Sequence, residues 1–258
     1  MVKQNHRINW TAIFIYMGIA TLFSYFFRVH QPDWYANLKL PYSFTAIKSL
    51  LGATGIVAGA IIVQTIYPKK RTITVWGPYK LKSLLMLLIP ILLFVVIGVK
   101  NNSEINSHYL GFVIGLQAVL WVVFEEYGWR GFLQSELRHL KPALKYLIIG
   151  VLWYVWHLWF LKYDSNSKIS DIIITEFILL SILVISSWGI GQLAELTKSV
   201  AVSACAHLLG SLVQFNSLII NNFAANLRWI IFAACLISWS FIVYLMVIES
   251  NKRRKLAT

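Results

Sequence analysis

The chain has 258 residues and a net charge of +13, with 58% hydrophobic but only 13% charged residues. Soluble domains average about 25% charged, so disorder, a soluble enzyme fold and a disulfide-built scaffold are excluded as the main architecture. The mean hydropathy of +0.67 and short basic clusters between apolar runs indicate loops facing anionic lipid, with no nucleic-acid partner.

A helix that crosses a bilayer needs about 20 apolar residues. Eight stretches qualify, at roughly 10–27, 44–67, 81–99, 109–134, 143–161, 172–194, 199–220 and 226–248. The expected fold is all-α, a polytopic membrane protein of about eight transmembrane helices in a single membrane-embedded domain over 1–258. The first stretch follows Lys3 and Arg7 but ends in the bulky run Tyr25-Phe26-Phe27-Arg28. It reads as a retained anchor rather than a cleaved signal. Pro90 falls inside the third stretch, where a kink is expected. Cys205 and Cys235 lie in apolar runs and read as small core residues.

Eight spans put both termini on one side. Fifteen of the 23 Lys and Arg residues flank that side, seven flank the other, and Arg130 lies inside a span. The asymmetry predicts a multi-pass cell-membrane protein with cytoplasmic N- and C-termini. Lys252-Arg253-Arg254-Lys255 reads as a cytoplasmic stop signal.

An ionisable side chain at the centre of a membrane helix costs at least ~2.5–3.5 kcal/mol. The fourth stretch nevertheless carries Glu125, Glu126 and Arg130. Glu126 and Arg130 are four apart, so they share a helix face and are expected to form a structural ion pair. Glu125 is rotated about 100° from that face and must find another partner or stay reactive. His157 in the fifth stretch and His207 in the seventh are candidates, with Ser211 one turn beyond His207.

A carboxylate beside a histidine in a partly dry site can act as general base towards water. A second histidine and a hydroxyl could stabilise the oxyanion formed at an attacked carbonyl. Peptide hydrolysis without a covalent intermediate would follow. Glu125, His157 and His207 could instead hold zinc, since one glutamate and two histidines make a catalytic ligand set. No H-E-x-x-H occurs. Gly189-Ile190-Gly191 is followed by Gln192 and Gly210 precedes Ser211 without a Gly-x-Ser-Gly setting, so aspartyl and serine designs fail. A transporter relaying protons would also use buried charges, but the motif spacing carries no inverted repeat. In a hydrolase, a Glu125 carboxylate oxygen should lie within about 4 Å of a ring nitrogen of His157 or His207.

The order Glu125-Glu126-x-x-x-Arg130, then Trp153-x-x-x-His157, then His207-x-x-x-Ser211 resembles the CPBP family, the CAAX-protease and bacteriocin-processing (Abi) membrane proteins. The resemblance covers a core of about 109–220 and implies an eight-helix intramembrane endopeptidase. It implies that Glu125 activates water with help from His157, that Glu126 pairs with Arg130, and that His207 helps form the oxyanion site. The family usually has Phe where Trp153 stands, and Asn or Asp where Ser211 stands. Its eukaryotic members remove the last three residues of prenylated proteins; bacterial members are associated with peptide maturation, bacteriocin self-immunity and surface-protein processing. The expected partners are a membrane-associated peptide or protein substrate and the lipid bilayer. The alternative is a non-catalytic scaffold or self-immunity protein that keeps the fold.

Overall fold

The computed structural model describes residues 8–37, 50–99, 105–161, 163, 168–215 and 217–255. Among them eight helices exceed ten residues: α1 (Trp10–Tyr25), α2 (Leu51–Ile66), α3 (Lys80–Ile97), α4 (Ser107–Glu126), α5 (Pro142–His157), α6 (Ile169–Thr197), α7 (Val200–Gly210) and α8 (Ala225–Lys255). They fall, in order, on the eight expected stretches. Residues 1–7, 44–49, 216 and 256–258, part of those expectations or their flanks, lie outside the described residues. The chain is an all-α polytopic membrane protein.

Five helical runs are long and apolar enough to cross a membrane: Trp10–His30, Lys80–Ile97, Ser107–Glu136, Ile169–Thr197 and Ala225–Arg253. The other helices are shorter, α2 and α5 at 16 residues and α7 at 11. At 1.5 Å per residue, 16 residues reach only about 24 Å. Helix α3 runs unbroken through Pro90, whose ring is buried.

The described helices form two compact units. The first holds α1, Leu51–Thr72 and Tyr127–Gln192. Its central pair is α1 on α2. Helix α2 turns Gly52, Gly55, Gly59 and Ala60 inward, and small residues at such spacing let backbones approach. A Cβ on Gly55 would lie 2.4 Å from the Phe23 Cβ and 2.9 Å from the Ala20 carbonyl oxygen. The close approach lets Ser24 Oγ donate to the Gly52 carbonyl at 2.8 Å, while the buried Trp156 donates from Nε1 to Ser24 Oγ at 3.2 Å.

The second unit holds Ile73–Glu126 and the described residues from Leu193 onward. Helices α3 and α4 pack side by side, and α7 packs on both. Phe94, Ile114, Ala118, Val122, Ala204 and Leu208 are buried in its core. A Cβ on Gly111 would stand 2.2 Å from the Phe94 carbonyl oxygen, a backbone atom that cannot swing aside. Gly111→Ala should therefore overpack α3 against α4 at a cost of about 1–3 kcal/mol and lower the melting temperature in detergent. Gly18 is exposed on α1, and a Cβ there would meet nothing within 4 Å. It supplies the control: Gly18→Ala should match or exceed the wild type, because Gly inside a helix is the poorer former. Equal melting of both variants would refute the close approach.

A short extended segment fixes the start of α7. Thr74 bridges Ser199 in parallel. The Val200 and Ala201 N–H groups donate to the carbonyls of Thr74 and Val75 at 2.9 and 3.0 Å. Ser199 is the N-cap, its hydroxyl accepting from Val202 N–H at 3.3 Å. These contacts satisfy donors that a helix start leaves without partners. They set the register of α7, and with it the position of His207.

Candidate active site

Glu125 and Glu126 close the α-helical part of α4, and the chain continues without a break into a π-helical turn, Tyr127–Leu133. A second π turn, Ser211–Phe215, follows α7 directly after His207-Leu208-Leu209-Gly210. Single π turns are rare and frequent at functional sites. Both motif helices thus change register at the ends of their motifs.

In the second unit, Glu125, Glu126 and His207 come together although His207 is 81 residues from Glu126 in the chain. Glu125 is 3% exposed and Glu126 fully buried. His207 Nδ1 lies 3.0 Å from Glu126 Oε1, and its Nε2 lies 4.0 Å from Glu125 Oε2. The ring therefore faces both carboxylates. A carboxylate only accepts, so Nδ1 is assigned the proton and donates to Glu126. Glu125 Oε1 accepts from the Trp121 indole Nε1–H at 2.7 Å. Trp121 stands one turn before Glu125, and i,i+4 side chains share a face. Ser211 is buried, one turn beyond His207, and its backbone N–H reaches the carbonyls of His207 and Leu208.

In the first unit, Arg130 is fully buried within the π turn. Its Nη1 donates to the Ser187 carbonyl at 3.3 Å, and its guanidinium lies over the Trp153 ring, 5.6 Å from the centroid. Four residues on, Gln134 Nε2 donates to the Gly191 carbonyl at 2.9 Å. Two donors four apart thus meet two α6 carbonyls four apart, using the second lone pair of each carbonyl oxygen. His157 ends α5 with Nδ1 at 2.9 Å from the Trp153 carbonyl. That carbonyl can only accept, so the proton is assigned to Nδ1 and Nε2 is the basic nitrogen of the neutral ring. The Trp156 ring meets His157 edge-on at 4.9 Å.

Among the described residues no group of three or more His, Cys, Asp and Glu side chains is arranged to hold a metal ion.

Two contacts have little or no signal in the sequence. Trp121 is marked only by its i,i+4 spacing to Glu125. The Glu126–His207 hydrogen bond has no local signal, because it joins separate helices.

Residues 107–213 match one family model, Rce1-like, described as type II CAAX prenyl endopeptidase Rce1-like. That match is consistent with the CPBP family. It spans Glu125, Glu126, Arg130, His157, His207 and Ser211. No curated protein matches the chain.

Proposed function

We propose that the chain is an intramembrane endopeptidase that hydrolyses a peptide bond of a membrane-associated protein or peptide through water activated by Glu125. The observation that carries this reading is the His207 ring facing two buried carboxylates on one apolar helix. A purely structural histidine needs one acceptor; this ring faces a second carboxylate at a distance open to a bridging water or substrate atom.

In the proposed reaction Glu125 takes a proton from water as the water oxygen bonds to the scissile carbonyl carbon. Trp121 positions Glu125 through its Nε1–H, and the family resemblance assigns His157, basic at Nε2, to assist the water. The carbonyl oxygen becomes an oxyanion. His207, as an imidazolium held by Nδ1–H on Glu126, donates Nε2–H to that oxyanion, and the Ser211 hydroxyl adds a donor. The C–N bond then breaks, and Glu125 returns its proton to the leaving amine. Glu126 and Arg130, four residues apart, hold the helix geometry as buried opposite charges. The family resemblance implies one membrane-embedded domain over 1–258, with a catalytic core of about 109–220.

The test compares membrane peptides from cells carrying the wild type with those carrying Glu125→Gln. A set of cleavage products confined to the wild type is expected. Identical peptide sets would favour the non-catalytic scaffold or self-immunity reading instead.

The basic asymmetry supports cytoplasmic termini. A fluorescent reporter that matures only in the cytoplasm should be bright when fused after Thr258, and a phosphatase active only outside should be silent there. An active phosphatase would reverse the orientation.

A further inference from the structure

A second polar cluster lies within the first unit and is unused by the proposed reaction. Helix α2 ends at Ile66, and the chain continues Tyr67-Pro68-Lys69-Lys70-Arg71. The short helix Gln134–Glu136 is followed by Leu137 and Arg138. Lys69, Lys70, Arg71 and Arg138 line one small cleft with Glu136. The cleft is built rather than a chance gathering of loose side chains. Lys69 Nζ lies 2.6 Å from Glu136 Oε2. Arg138 Nη1 donates to the Lys70 carbonyl at 3.0 Å, tying the two segments together. The Arg71 guanidinium lies over the Tyr127 ring, 5.4 Å from its centroid.

Four cations share this cleft with one carboxylate, and that carboxylate already holds Lys69. The excess of positive charge calls for an anion. Guanidinium forks match phosphate oxygens in particular. Partial burial lowers the Arg71 pKa from the ordinary arginine value, opposed by Tyr127 and Glu136. An arginine stays charged all the same, so a partly desolvated guanidinium gains from an anion that replaces lost water.

Two sources could supply a phosphate, a lipid headgroup or the free ion. The apolar surface decides between them. Ile62 and Ile66 are 41% and 56% exposed on α2, immediately before the cations. They are four apart and share a helix face. Acyl chains can lie against that face while the headgroup reaches the cleft. We propose that the cleft of Lys69, Lys70, Arg71 and Arg138 binds the phosphodiester of an anionic membrane lipid, with Ile62 and Ile66 contacting its chains.

The test titrates the purified full chain in nonionic detergent with dioctanoyl phosphatidylglycerol, reading binding by thermophoresis. Dioctanoyl phosphatidylcholine and inorganic phosphate are the comparison ligands. The double variant Lys70→Gln/Arg71→Gln should bind phosphatidylglycerol roughly thirtyfold more weakly, the factor for two interfacial charges. Lys80→Gln/Lys252→Gln removes the same charge elsewhere and should bind as the wild type does. Lys70→Gln alone, at an exposed side chain, repeats the measurement should the double variant fold poorly, and an intermediate loss is expected. Equal weakening in the Lys80/Lys252 control would overturn the site. Phosphatidylcholine binding as tightly as phosphatidylglycerol would overturn its selectivity. Complete displacement by inorganic phosphate would assign the cleft to the free ion and overturn the lipid assignment.

Discussion

Glu125→Gln should fold like the wild type and lose nearly all turnover. The amide has the shape of the carboxylate, and its oxygen can still accept the Trp121 indole N–H that reaches Glu125 Oε1 at 2.7 Å. What disappears is the capacity to take a proton from water. General-base catalysis is worth roughly 10²–10⁴-fold, and the appearance of wild-type-specific peptides should slow by that order. Melting in detergent should stay close to the wild type, because the packing around a 3%-exposed side chain is unchanged in volume. Product formed at the wild-type rate would remove Glu125 from the chemistry. A collapse in expression would make it a structural residue.

Glu126→Ala should act in the opposite way, chiefly on stability. Glu126 is fully buried and accepts from His207 Nδ1 at 3.0 Å. Removing a buried charged partner typically costs about 3–5 kcal/mol, because the remaining charge and donors stay in the interior. Glu126→Gln keeps an acceptor for His207 and removes only the charge, so its loss should be smaller. The expected order of melting temperatures is wild type, then Glu126→Gln, then Glu126→Ala. If Glu126→Ala melted with the wild type, the residue would not anchor α7 against α4.

Hydropathy made the eight helices legible, because a membrane-crossing run leaves a signal some 20 residues long. It says nothing of helix type. The stretch expected over 199–220 is α-helical from Val200 to Gly210, passes through the π turn Ser211–Phe215, and is α-helical again from Ser217 to Asn222. Apolarity reports what a segment is buried in, whereas helix type depends on hydrogen-bond register. Intramembrane charge marked Glu125, Glu126 and Arg130, and the histidines followed from the spans that carry them. Helix periodicity fixes a face but not a partner. Hence His207 could be nominated from sequence, while its simultaneous approach to Glu125 and Glu126 could not. Zinc ligation is not legible from residue types alone. Residue types suited to zinc were present, but ligation demands a shared centre that no spacing rule guarantees.

The Thr74–Ser199 bridge also sets a timetable for biosynthesis. The Val75 carbonyl and Ser199, which hydrogen-bond in the finished fold, are 124 positions apart. Ribosomes add about 5–20 residues per second, so Val75 waits roughly 6–25 s for its partner to be made. During that interval the newly emerged Ile73–Val75 segment has no α7 to cap, and its peptide groups must be satisfied by water or a surrogate. Translation pauses before Val200 would lengthen the wait, and a chaperone that shields this segment would shorten its exposure. His207 therefore reaches its final depth only late in synthesis, after α4 with both glutamates has already been inserted.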